Sequence, residues 1–140
     1  MQKRNQIVVA VKGIVLHKGK ILIIKRSESD AVGGGTWECA GGKIEFGEEL
    51  ETALVRETKE ETGLDIRVEQ LLYAATFITD PARQLVLFTY LCRSERDDVT
   101  LSEEHTAFEW ADRGRLRQLL PLDIVRDFEK HHVFSIAKLQ

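Results

Sequence analysis

Cysteine is scarce in this chain: Cys39 and Cys92 stand far apart and form no CxxC pair. That leaves neither a zinc knuckle nor a disulfide framework, and it fits a reduced, cytoplasmic setting. Proline is as rare, with two residues, and there is no Pro-rich linker, internal repeat or low-complexity stretch to divide the chain. No run is long and apolar enough to cross a bilayer. Ile7 to Leu16, after the basic opening MQKRNQ, is broken by Lys12 and lacks a small-residue cleavage site, so it reads as a strand and not as a signal peptide. An excess of positive charge is missing too. The net charge is −3 and the pI about 5.8, which argues against a broad basic surface gripping nucleic acid. An anionic partner has to be met locally, by a metal or a few cations.

What is present is a folding composition, 43% hydrophobic and 31% charged, in a length that predicts one domain over residues 1–140. Residues 7–17 and 20–26 are rich in Val and Ile around the turn His17-Lys18-Gly19-Lys20 and predict a hairpin. The run Ile21-Leu22-Ile23-Ile24 predicts burial on both faces. Ser27 to Gly35 is a polar loop, and Trp37 to Phe46 forms short extended pieces around Gly41-Gly42. After a helix, Leu64 to Ile78 and Gln84 to Cys92 predict a second hairpin with a longer connection over residues 79–83. Arg93 to Asp98 is charged and exposed, Leu101 to His105 a loop, Ala107 to Ala111 a short strand. Asp112 caps a helix through Leu120, and a last helix starts near Pro121 and runs past Lys130. Strands, helix, strands, helices make an α/β fold, a mixed sheet between helices in an α/β/α sandwich.

The helix between the hairpins, Gly47 to Gly63, reads GEELETALVRETKEETG. With about 100° per residue and Leu50 as zero, Leu54 falls at about 40°, Glu57 at about −20°, Glu61 at about 20° and Glu60 at about −80°. The three acids therefore share the apolar face, which is costly unless a cation answers them. Glu60 and Glu61 also sit in the last turn before Gly63, where the helix dipole disfavours negative charge. Arg56 is one cation against three acids, and Lys59 falls on the solvent side. A divalent ion with oxygen ligands, Mg²⁺ or Mn²⁺, answers the cluster better than the plainer reading of a solvated acidic helix with i,i+4 pairs.

From Gly42 the chain runs through five residues to Glu48, seven more to Arg56-Glu57, and on through Glu60-Glu61 to Gly63-Leu64. This resembles the Nudix box, Gx5Ex7REUxEExGU with U aliphatic. Every defining position matches except Thr58, where an aliphatic residue is usual. The resemblance implies an enzyme, a Mg²⁺- or Mn²⁺-dependent pyrophosphohydrolase acting on small molecules in which a nucleoside diphosphate is linked to another group. It implies Glu57, Glu60 and Glu61 as metal ligands with the Gly41 carbonyl, Arg56 as the orienter of a neighbouring carboxylate, and Glu48 as an outer ligand or ion-pair partner of Arg56. Family members are often homodimers, though nothing in this sequence marks an interface. The chemistry of the residues agrees, since carboxylate-held metals polarise a phosphoryl group and lower the pKa of an attacking water.

Several roles stay open at this level. Lys43 binds substrate phosphate or is a surface lysine. Glu104 is the first choice as general base, Glu103 its rival, and Glu57 or Glu60 could instead do that work. Trp37 to Glu45 is similar to WEFPGGKxE of the MutT-type branch, which turns oxidised nucleoside triphosphates into monophosphate and pyrophosphate. Here Cys39-Ala40 replaces Phe-Pro, which puts base recognition in question. Asp123 either accepts a hydrogen bond from a purine or caps the last helix. Pro81 lies close to the position of a proline found in some ADP-ribose pyrophosphatases of the family. A nucleotide-sensing module without hydrolysis is a further alternative, against which the intact acidic cluster speaks.

Overall fold

The Val- and Ile-rich runs form strands because β-branched side chains suit a pleated surface covered on both sides. The computed structural model describes residues 4–31 and 33–140. Met1 to Lys3, within the basic opening stretch, and Val32, within the polar loop, lie outside the described residues. Strand β1 (Gln6–His17) turns through Lys18-Gly19 into β2 (Lys20–Arg26). The two strands pair only near the turn, Leu16 with Ile21 and His17 with Lys20, and then diverge like a fork. Between the tines lie β3 (Trp37–Glu38), antiparallel to β2, and β4 (Ala40–Lys43), antiparallel to β1 from Ala10 to Gly13.

Strands β5 (Arg67–Asp80) and β6 (Arg83–Arg93) form the second hairpin, with β6 running parallel to β1 along its length. Strand β7 (His105–Ala111) lies against the other side of β2, giving a mixed sheet of seven strands. The predicted long connection of the second hairpin is instead the pair Pro81-Ala82, because the Asp80 carboxylate accepts the Ala82 amide at 2.7 Å and tightens the turn. Strand β7 starts at His105, earlier than expected, since His105 pairs with Arg26 across a bulge.

Helix α1 (Leu50–Thr62) covers one face of the sheet, packing Ala53 and Leu54 with Val11, Val15, Leu22 and Ile24. Helices α2 (Arg113–Leu119) and α3 (Leu122–Lys130) cover the other, where Leu116, Val125 and Phe128 meet Ile14, Ile21 and Ile23. The result is the α/β/α sandwich. Each of Ile21 to Ile24 is 0% exposed, as the unbroken apolar run predicts, and each burial contributes roughly 2 kcal/mol. Asp112 caps α2 by accepting the Arg115 amide at 2.9 Å. Helix α3 stops at Lys130 instead of running past it, and its cap is Pro121.

The inward side of α1 differs from the wheel set on Leu50. Ala53, Leu54, Thr58, Glu61 and Thr62 are its buried residues, and their mean direction is roughly 45°. Thr58, which stands where the box has an aliphatic residue, is wholly buried, and its hydroxyl oxygen has no hydrogen-bond partner among the described residues. Thr58→Val, which keeps the shape and removes the stranded hydroxyl, is expected to stabilise the protein by about 1 kcal/mol. Thermal denaturation checks this: Tm should rise by about 3 °C, and a fall would show that the hydroxyl is satisfied in solution.

Candidate metal and nucleotide site

Gly63 ends α1 in the left-handed conformation, φ 76°, with its amide donating to the Lys59 carbonyl, so the box glutamates are fixed on the last two turns. Glu61 points into the sheet where the fork opens. It is 6% exposed, and one of its carboxylate oxygens accepts the Gly41 amide at 2.8 Å. Burial pushes its carboxyl up to about 7, against the opposing pull of Lys12, the Gly41 amide and His105. Glu57 lies beside Gly42, so close that a β-carbon there would stand 2.6 Å from the Glu57 carboxylate.

Glu60 is the exception among the three predicted ligands. Its side chain is 58% exposed, because it lies roughly 125° from the helix's inward direction. The structure gathers Glu57 and Glu60 on Arg56, which donates to them at 3.0 and 3.3 Å. Arg56 also holds Glu48 in a two-pronged pair at 2.6 and 3.0 Å and donates to the Lys43 carbonyl at 3.3 Å. That grip brings the Glu48 carboxyl down to about 2. Lys43 itself is exposed at the end of β4.

Glu104 comes from the loop before β7 and is exposed, while Glu103, its rival, is also exposed. Single ligand atoms of Glu61, Glu104 and His105 lie within 4.8 Å of one another. Asp123 is not the α3 cap. It lies in the first turn, accepts only the amide of Ile124 at 3.0 Å among the described hydrogen bonds, and lines a cleft of about 430 Å³ with Lys12, Glu38, Tyr73, Phe77, Leu87 and Ile124.

Three polar residues beside the acidic cluster escape the sequence reading: Lys12, Glu38 and His105. Lys12 donates to Glu38 at 3.2 Å and to the Cys39 carbonyl at 3.1 Å, and Arg26 reaches Glu38 at 3.3 Å. The His105 Nε2 stands 2.8 Å from the other Glu38 oxygen. Burial works to raise the Glu38 carboxyl, but the His105 hydrogen bond and the Lys12 and Arg26 charges outweigh it and bring it to about 2. Lys12 interrupting an apolar run was the one visible signal in the sequence. Because Glu38 both lines the cleft and bonds His105, the acidic group and the cleft share a wall.

Comparison with known proteins accords with this geometry. The chain is 34% identical over 105 residues to a "MutT-like protein" of Streptomyces ambofaciens, an alignment covering 73% of this chain and 62% of that one. It is 48% identical over 113 residues to an "ADP-ribose pyrophosphatase" of Methanocaldococcus jannaschii, covering 79% and 65%, and 31% identical over 122 residues to a "CTP pyrophosphohydrolase" of Escherichia coli, covering 85% and 87%. The chain spans 36% to 65% of the length of the first relatives it matches. In fold it resembles a MutT protein from Methanosarcina mazei, with TM-score 0.85 at 23% identity, covering 96% of this chain and 99% of that one. Among the described residues no helix is long and apolar enough to cross a membrane. The NUDIX domain pattern matches residues 5–129, most of the chain, and the chain belongs to the Nudix family.

Proposed function

We propose that the protein is a divalent-metal-dependent hydrolase of a pyrophosphate bond in a nucleoside triphosphate, releasing the monophosphate and pyrophosphate. The observation that carries this reading is the approach of buried Glu61 to Glu104 beside a cleft of about 430 Å³, a volume suited to a nucleotide. The residues fit a metal. Glu57, Glu60 and Glu61 offer carboxylate oxygens, which suit Mg²⁺ or Mn²⁺. The Glu61 carboxyl, raised to about 7 by burial, is a group that a cation would return to its ionised state. The Gly41 carbonyl, on a backbone already tied to Glu61 through its amide, is a fourth donor. When bound, the metal neutralises phosphate oxygens and acidifies water.

The chain's own residues do the rest. Arg56 holds Glu57 and Glu60 in place by hydrogen bonds from its guanidinium. Glu104, exposed in the loop before β7, accepts the proton of the attacking water. Lys43 meets phosphate, and Asp123 on the cleft wall accepts a hydrogen bond from the base. Phe77, Leu87 and Ile124 give that wall an apolar surface for a planar ring. The reading places the domain in the reduced cytoplasm, in keeping with two free, buried thiols, with a nucleotide and not nucleic acid as partner. A homodimer remains compatible with the site, which one chain completes.

A second reading, cleavage of ADP-ribose or a nucleotide sugar, is favoured by the 48% identity to the Methanocaldococcus enzyme. One panel separates the two: 8-oxo-dGTP, the common nucleoside triphosphates, CTP and ADP-ribose with Mg²⁺, with products resolved in ¹⁸O water. Pyrophosphate release from a triphosphate is expected, with Glu57→Gln slower by about 10³-fold. AMP and ribose 5-phosphate from ADP-ribose as the preferred reaction would select the second reading. Metal-independent nucleotide binding without turnover would make the domain a sensing module.

A further inference from the structure

We infer that His105 is a nitrogen ligand of the cation held by Glu61 and Glu104, so that this site takes a transition-metal ion such as Mn²⁺ in preference to Mg²⁺. The inference rests on the reading of Glu61 as a metal ligand and does not require turnover.

Its first support is position. One ligand atom each from Glu61, Glu104 and His105 falls within 4.8 Å of the others, and they come from α1, the loop before β7, and β7 itself. The three donors come close enough together to hold one metal ion. Glu104 is exposed, which leaves a path for the ion to enter.

The second support is an unanswered atom. The His105 side chain is 2% exposed, yet its Nδ1 has no hydrogen-bond partner among the described residues. A buried ring nitrogen left without a partner is destabilising, so its retention points to a partner of another kind. The other nitrogen, Nε2, is engaged by Glu38 at 2.8 Å. Glu38 is held in salt bridges by Lys12 at 3.2 Å and by Arg26 at 3.3 Å, the pairing of an ionised carboxylate. An ionised carboxylate only accepts, so the proton belongs on Nε2 and the lone pair on Nδ1 is free. A carboxylate behind an imidazole is the arrangement that orients a histidine for a metal and raises its basicity.

The donor set that results is one imidazole nitrogen and carboxylate oxygens. Imidazole favours transition metals, and an all-oxygen set favours Mg²⁺. Lys12 and Arg26, both held on Glu38, are the cations that face the group from β1 and β2, and each is occupied there by that carboxylate.

Mn²⁺ bound to the full chain tests this by pulsed electron paramagnetic resonance, with and without ¹⁵N-labelled histidine. The wild type should show nitrogen modulation that changes with the label. The H131Q/H132Q variant, altered at the end of α3, should keep it, while H105Q should lose it and weaken Mn²⁺ binding about tenfold, with Mg²⁺ changed by no more than about twofold. If H105Q does not fold, the wild-type and H131Q/H132Q spectra decide. Mn²⁺ bound without a histidine signal overturns the inference and leaves the carboxylate metal site standing. Absence of Mn²⁺ binding at millimolar concentration overturns both.

Discussion

Glu61→Gln is expected to abolish hydrolysis and, in the same protein, to raise the stability of the metal-free fold. The buried carboxyl sits at about 7 in the folded chain, against about 4.3 in an unfolded one. A carboxyl raised on folding favours the folded state when protonated. Below the unfolded value both states hold the proton and ionisation costs nothing. As pH rises through the window up to about 7, the unfolded chain releases its proton first and stability falls. Above that window the metal-free wild type bears the full penalty, roughly 3–4 kcal/mol. Glutamine keeps the oxygen that accepts the Gly41 amide and removes the charge, so the variant should be more stable by about that amount at pH 8 and should lack the decline between pH 4.5 and 7. Added Mn²⁺ should stabilise the wild type and leave the variant nearly unmoved. Turnover should drop by at least about 10²-fold, because the proposed metal site loses an oxygen anion. Denaturation at several pH values with and without Mn²⁺ checks each part. A variant less stable than the wild type at pH 8 would mean that Glu61 is ionised and paired in the metal-free protein.

That opposition between stability and chemistry is readable in the sequence only in part. The first hairpin, α1 and the α2 cap follow from local patterns, since β-branched runs, a 3.6-residue period and an Asp ahead of Arg113 each act over a few residues. The box spacing places Glu57, Glu61 and Arg56 on one helix whatever surrounds it. The orientation of that helix is another matter. Leu50 is an obvious apolar reference but is only partly buried, whereas the wholly buried Thr58 draws the inward side round by roughly 45°. This rotation leaves Glu61 inside and Glu60 in solvent. The fork is a long-range pairing of β4 with β1, and no local pattern announces it. Lys12, Glu38 and His105 are single polar residues on three separate strands, and they become one network only because β3 enters that fork. For Asp123, a helix-start position suggests a cap, yet Pro121 takes the capping place and the carboxylate is left to line the cleft.

The two glycines of β4 should respond to the same substitution in opposite ways. Gly41 has φ +144°, and a β-carbon there would lie 2.0 Å from the Val11 carbonyl oxygen and 2.9 Å from the Lys12 α-carbon. Both are backbone atoms of the paired strand, so relief requires β1 and β4 to part. Gly41→Ala is therefore expected to cost at least about 3 kcal/mol and to free the Glu61 carboxylate from the Gly41 amide. At Gly42 the obstructing atoms are the end of a side chain, the Glu57 carboxyl at 2.6 Å. That group swings away at small cost, so Gly42→Ala should leave stability within about 1 kcal/mol of the wild type. Its effect falls on chemistry. With Glu57 displaced from the place where Arg56 holds it, kcat should drop by about 10²-fold, with KM little changed. Thermal denaturation and steady-state hydrolysis of both variants distinguish the two outcomes. Full turnover by Gly42→Ala would show that the position of Glu57 against β4 is not what the reaction uses. A Gly41→Ala protein as stable as the wild type would show that β1 and β4 need not approach so closely.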